Sequence, residues 1–363
     1  MRYLRNYGVP VLLGLALIMT SPDAPGVGQR SFVKSTGVDT PPGPGSCSVT
    51  SPCRSFASAI DSTSTGGEII VLDSAGYGPV GIAKSVSIIA PPGVYAGVTV
   101  PAGGIGIDMF TAGVTVVLQG LTINGTGAGG SIGVNFQDGT ELRVVNCSIS
   151  NFNAAGIFVS ATGSRVFVTD TTLHGGTSGG VVLSGSVTAV LDRVRVEGSS
   201  GIAVSDGVSL SVRDSVISSN AVGIAGFAAG GTVTRVTIDG TVVADTTASD
   251  GISAFAQGAG SRATLDMIRA TSTRNAGVGA VISAFPPAAA VMTVTSSVLS
   301  ENGIGIYTPG TGTETAFASR NLIARNTGAG ILQAGTGIVH TRSNNAGEQV
   351  PATMGTVTPV PGF

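Results

Sequence analysis

With 56 glycines, no tryptophan and only 10% charged residues in 363 positions, the chain lies far from the usage of an ordinary mixed α/β enzyme. No Gly-X-Y period runs through it, which excludes a collagen triple helix. Plentiful Val, Ile, Leu and Ala, with a formal charge of −2, exclude a chain too polar to bury a core.

The N-terminus carries Arg2 and Arg5, then the apolar run Val9 to Met19, then the polar stretch Thr20 to Pro25. That order is the pattern of a secretory signal, and the run is shorter than the roughly 20 residues a bilayer-spanning helix needs. Residues 1–28 are therefore assigned as a signal peptide, and the mature protein is expected to be secreted or periplasmic, with no membrane span. Their removal leaves 16 basic against 19 acidic side chains, a balance that predicts no nucleic-acid partner. Residues 29–65 read as an N-terminal loop and short helix. Cys47 and Cys53 flank SVTSP there and are expected to pair in an oxidising compartment. Cys147 stands alone in a strand pattern and reads as a small buried apolar residue.

From residue 66 to residue 340 the sequence repeats. TELRVVNCSISNFNAAGIFVS (140–160), SRVFVTDTTLHGGTSGGVVLS (164–184), VTAVLDRVRVEGSSGIAVS (187–205) and VSLSVRDSVISSNAVGIAGF (208–227) share one order of features, as do 290–307 and 315–333: strand, bend, strand, turn, strand. The Gly before the third strand recurs at Gly133, Gly156, Gly180, Gly201, Gly223, Gly251, Gly277, Gly303 and Gly330. A spacing of about 25 residues is that of a solenoid. Alternation aligns Leu142 and Val144 with Val166 and Val168, Ala189 and Leu191, and Leu210 and Val212 as inward columns. A second column runs Ile149, Leu173, Val196, Ile217, Leu299, Ile323, and a third Ile157, Val181, Ile202, Ile224, Ile252, Val278, Ile304, Ile331. Asn220, Asn275, Asn302 and Asn326 fall in the turns, where an amide can hydrogen-bond neighbouring backbone, and read as structural.

These coils resemble the pectin-lyase-like family of right-handed parallel β-helices, whose bacterial, exported members begin with a segment similar to residues 30–93. The resemblance implies an all-β right-handed solenoid of about ten coils over 66–340. PCRSFASAI would be a helix capping the first coil, EIIVLD its first strand, and 341–363 an irregular tail. It also implies that the outer face of the third strand carries the groove used by family lyases and hydrolases. The outward positions there are Phe158, Val182, Ala203, Ala225, Ser253, Gly279, Gly305 and Leu332, none of which supplies an acid, base or calcium ligand.

The one dense charge cluster, Asp170, Asp192, Arg193, Arg195, Glu197, Arg213 and Asp214, lies at the bend between the first two strands. Asp170, Arg193 and Asp214 occupy one column and Asp192 lies beneath Arg213, so alternating signs are expected to pair vertically. Asp170, Asp192, Arg193, Arg195, Arg213 and Asp214 remain the catalytic candidates if there is catalysis. His174 and His340, the latter in the less regular tail, read as surface residues. No cofactor, no metal and a monomeric state are expected. The leading expectation is a non-catalytic surface or glycan-contacting scaffold. The alternative is a polysaccharide lyase or glycoside hydrolase acting on an acidic polysaccharide.

Overall fold

The strands recur because each carries apolar side chains at alternate positions and ends on a residue that accepts a left-handed backbone. The computed structural model describes residues 28–126, 129–342, 344–347, 353–355 and 357–359. Of the 1–28 signal-peptide assignment, residues 1–27 lie outside the described residues, and Gly28 opens the first described strand. Over the rest the chain winds as a right-handed parallel β-solenoid of about 11 turns, one more than the repeat suggested.

Each full turn contributes to three faces. The first face is a 14-stranded parallel sheet that includes Arg165–Thr169, Thr188–Asp192 and Ser209–Arg213. The second holds short strands such as Thr172–Gly176, Arg195–Glu197 and Val216–Ser218, and the third holds strands such as Gly179–Leu183, Ile202–Ser205 and Ile224–Ala228. Parallel register stacks like on like. On the first face Ile88, Leu118, Val144, Val168, Leu191, Val212, Ile238, Met267 and Val294 form one fully buried column.

The third-face column departs from the sequence alignment in two coils. Ile252 pairs with Ala280 and Ala280 with Ile306, so Val278 and Ile304 sit two residues early. The outward positions there are accordingly Val281 and Tyr307, not Gly279 and Gly305. A shift of two preserves the inside-outside alternation, and glycine occurs at both candidate anchors, so pattern alone did not separate the two registers.

Both bends are made by single residues with positive φ. At the first, Asn146, Asp170, Arg193, Asp214, Arg269, Ser296 and Arg320 all have φ between 46° and 56°. The next residue turns inward, and Thr171, Ser215, Thr241, Ser297 and Asn321 are buried there. Their side chains accept from the backbone N–H of the preceding coil: Ser215 Oγ from Val194 (3.1 Å), Thr241 Oγ1 from Ser215 (3.3 Å), Asn321 Oδ1 from Ser297 (2.9 Å). At the second bend, Asn275, Asn302 and Asn326 form a buried amide ladder. Asn302 Oδ1 accepts from the Asn275 N–H (3.1 Å) and Asn326 Oδ1 from the Asn302 N–H (3.0 Å), while Asn302 Nδ2 donates to the Ser272 carbonyl (3.0 Å). Asn220 acts in the same way on Ser199 and Val196.

The N-terminal end is closed by two devices. Residues Gly28–Val33 form a strand that pairs in parallel with Thr63–Val71, where the sequence suggested only a loop. The short helix Phe56–Asp61 starts at Ser55, whose Oγ accepts from Ser58 N–H, and ends where Lys84 Nζ donates to the carbonyls of Ile60 and Thr63 (2.9 Å each). It buries Phe56, Ala59 and Ile60 over the first coil. Cys47 and Cys53 form a disulfide beside this helix, and Val33 bridges to Cys53, which covers the strand edge. At the other end strand pairing continues past residue 341, with Thr353–Met354 and Val357–Pro359 in register on Ala329–Gln333 and Ile338–Thr341.

Two predictions follow from this packing. Asn302→Ala strands the Asn275 N–H and the Ser272 carbonyl inside the turn, so denaturant unfolding should show a loss of about 3 kcal/mol. Cys147 is buried and desolvation pushes its thiol up to about 11. The native protein should therefore resist alkylation at neutral pH, take up one equivalent when denatured without reductant, and two more after reduction.

Candidate functional site

Charged groups were the first candidates, and the structure distributes them along the solenoid instead of gathering them. Arg193 grips Asp170 with a two-pronged contact, Nε to Oδ1 at 2.7 Å and Nη2 to Oδ2 at 3.0 Å, and its Nη1 donates to Asp192 at 2.7 Å. These hydrogen bonds hold the Asp170 carboxyl below its ordinary range. Asp170, Arg193 and Asp214 do share a bend position, and Asp192 does lie in register with Arg213. The expected vertical pairing, however, is only half made: Asp214 and Arg213 enter no ion pair among the described residues. One guanidinium has a single fork, and Asp170 occupies it. The motif recurs elsewhere as Arg269 with Asp239, Arg274 with Asp245 and Arg325 with Glu301, all with exposed arginines. Such repetition is what coil-to-coil charge pairing looks like, not the convergence of groups on one reacting atom. Among the described residues no three His, Cys, Asp or Glu side chains gather as a ligand set.

The third face is emptier than its neighbours but not bare. Ahead of Phe158 the same outward column holds Asp108 and Asn135, and Asp108 Oδ1 accepts from Asn135 Nδ2 (2.8 Å) and Gln137 Nε2 (2.9 Å). One carboxylate tied by two amides provides no acid/base pair.

An open polar concavity lies at the second bend, in the coils that carry residues 124–126, 129, 151–153 and 176–177. Asn124, Gly125, Thr126, Gly129, Asn151, Asn153, Gly176 and Thr177 line a cleft of about 690 Å³. Asn151, at φ 65°, turns the chain and donates through Nδ2 to Asn124 Oδ1 (2.8 Å), which also accepts from Ser150 Oγ (3.2 Å). Thr177 Oγ1 donates to the Asn153 carbonyl at 3.0 Å, and Asn153 Nδ2 to the Gly129 carbonyl at 3.4 Å. Glycine is required where the coils approach: a Cβ on Gly125 would lie 2.2 Å from the Asn151 carbonyl oxygen, and one on Gly176 2.4 Å from that of Phe152. No lining side chain is ionisable.

At the rim of this cleft the second face carries Ser150, His174, Glu197 and Ser218 in successive coils. His174 is exposed and stands directly before Gly175 and Gly176. Glu197 is held below its ordinary range, chiefly by its hydrogen bond from Arg195, and it accepts from Ser218 Oγ at 3.1 Å.

Residues 103–265 match the family described as a right handed beta helix region. Among solved structures, the A-module of a mannuronan C-5 epimerase from Azotobacter vinelandii superposes with a TM-score of 0.54 at 12% identity, covering 82% of this chain and 91% of that one. The chain has a right-handed parallel β-helix fold. The pectate lyase Pel9A also matches, at 11% identity and a TM-score of 0.43, over 93% of this chain and 79% of that one. No curated protein matches by sequence.

This β-helix therefore presents two chemistries side by side: a neutral cleft of amides, hydroxyls and glycine backbone, and a short His-Glu-Arg rim. The cleft missed by sequence reasoning was signalled by the glycine-rich run NGTGAGG at 124–130 and by Asn151 and Asn153 about one coil period later.

The Arg193 pairing is testable because Asp170, which it grips, and Asp214, which it does not, should respond differently. Arg193→Ala should lower the melting temperature slightly, and high salt should erase the difference. Paired Asp170 binds its proton less tightly folded than unfolded. Its contribution is complete above the ordinary carboxylate range and fades as pH falls through the folded value, so variant and parent should converge in strong acid. Asp214→Asn should leave the parent's stability unchanged.

Proposed function

We propose that this protein is a non-catalytic, glycan-contacting scaffold, secreted or periplasmic, acting as a monomer and using the Asn124 to Thr177 cleft to hold a neutral stretch of polysaccharide. The observation that carries this reading is the lining: three amides and two hydroxyls with glycine backbone, and no ionisable side chain. Each amide both donates and accepts, as sugar hydroxyls do, so such a wall hydrogen-bonds a saccharide without demanding a charge from it. The rigidity of stacked coils holds these groups in place, which limits the ordering cost of binding. Among the described residues no helix is long and apolar enough to cross a membrane.

Catalysis on an acidic polysaccharide, by a lyase or glycoside hydrolase, is the second reading. It is favoured by one arrangement, His174 beside Glu197 and Arg195 at the rim of the cleft. The epimerase that shares the fold acts, by its name, on mannuronan; fold alone carries no activity across.

Glycan-array binding of the purified mature protein, followed by titration of the best neutral oligosaccharide, tests both. Asn124→Ala and Asn153→Ala should each weaken binding about fivefold with little change in melting temperature, as expected for one lost hydrogen bond. Release of reducing ends or unsaturated products, abolished by His174→Ala, would replace the scaffold reading with the enzymatic one. Undiminished binding in both asparagine variants would remove the cleft from it.

A further inference from the structure

The last coils of the first face carry a second concavity, built differently. Asp266, Thr293, Phe317 and His340 occupy one outward column in successive coils, by strand register. His340 lies in the paired strand Ile338–Thr341, not in an irregular tail. Side-chain size rises abruptly from Thr293 to Phe317 and stays large at His340. In the neighbouring column Thr295 and Ser319 are both small, and their hydroxyls are 3.4 Å apart. The resulting step leaves a recess of about 420 Å³ lined by Thr293, Thr295, Phe317, Ser319, His340 and Arg342, among others.

Three features of that recess point the same way. Phe317 is 44% exposed and stacks on His340, with ring centroids 5.1 Å apart and planes 21° from parallel, so one wall is an aromatic face open to solvent. Arg342 is exposed and makes no ion pair among the described residues, whereas Arg193, Arg269, Arg274 and Arg325 each hold a carboxylate. Among the described residues no carboxylate lines the recess. His340 is half-buried, and its Nδ1 has no hydrogen-bond partner among the described residues.

The recess has room for one or two rings, within the size of small-molecule sites and too small for a polymer segment of several sugars. A ligand matched to it offers a flat apolar face for Phe317 and His340 and one negative charge for Arg342. We infer that it binds a small aromatic carboxylate, with the ring against the Phe317 and His340 wall and the carboxylate on the Arg342 guanidinium. The fork of arginine and the two oxygens of a carboxylate are complementary in geometry, and an aromatic wall favours a planar ring over an aliphatic chain. The hydroxyls of Thr293, Thr295 and Ser319 supply partners for a ring hydroxyl. This site shares no residue with the Asn124 to Thr177 cleft, and its existence does not depend on what that cleft holds.

Titration of the purified full-length protein with 4-hydroxybenzoate, followed by calorimetry and by ligand-observed saturation-transfer NMR, tests the inference. One saturable site per chain is expected. Arg342→Gln and Phe317→Ala should each raise the dissociation constant at least tenfold, and phenol, which lacks the charge, and acetate, which lacks the ring, should bind at least tenfold more weakly than 4-hydroxybenzoate. Asp214→Asn, on a coil remote from the recess, should leave 4-hydroxybenzoate binding unchanged. Arg342 is exposed, so its variant decides the matter even if Phe317→Ala disturbs the last coils. No saturable binding, acetate binding as well as the aromatic acid, or full affinity in Arg342→Gln would each overturn it.

Discussion

The structure rests on a parallel backbone ladder that does not break at corners. At the first bend one left-handed residue per coil turns the chain, and its N–H still bonds the next coil, Asp170 to Asp192, Arg193 to Arg213 and Asp214 to Asp239, each at 3.1 Å. Because the ladder continues, each coil must repeat the register of the one beneath it. Identical environments then stack about 4.8 Å apart, and every position becomes a column. Apolar columns fill a narrow interior with Val, Ile and Leu, which leaves no space for tryptophan.

Polar residues inside such a solenoid are useful only when their neighbours in the column complete them. The hydroxyls of Ser215 and Thr241 and the amides of Asn275, Asn302 and Asn326 do this, each accepting the inward N–H of the coil before. An unfilled position would leave a buried donor without a partner, at a cost comparable to losing the bond itself. Charged residues obey a related rule outside. At the bends the side chain points away from the core, so Arg193, Arg274 and Arg325 reach one coil to a carboxylate and remain solvated. Their pairing decorates the ladder more than it builds it.

Function, by contrast, needs a departure from repetition. The Asn124 to Thr177 cleft is lined where glycines at 125, 129 and 176 adjoin Asn151 and Asn153 of the coil between. The recess beside Phe317 exists because one column changes side-chain size between adjacent coils. Both interrupt an otherwise uniform surface, and both are lined by groups drawn from three coils. A solenoid can thus carry different sites along its length without altering the core that supports them.

Sequence by itself determined the parts of this protein that repeat. The period, the inward columns through Val144, Val168 and Leu191, and the second-face column through Ile149 and Leu173 were all legible, because each is written several times at fixed spacing. The register at Ala280 and Ile306 was not, because a two-residue shift keeps alternation intact and Gly277, Gly279, Gly303 and Gly305 offer competing anchors. The partner of Arg193 was not either, since sequence orders the columns but not the reach of a side chain within them. Nor were the cleft and the recess, which bring together residues about one and two coil periods apart. Only the tertiary structure decided which irregularities in neighbouring coils meet, since that depends on how far each turn bulges and which way each side chain lies.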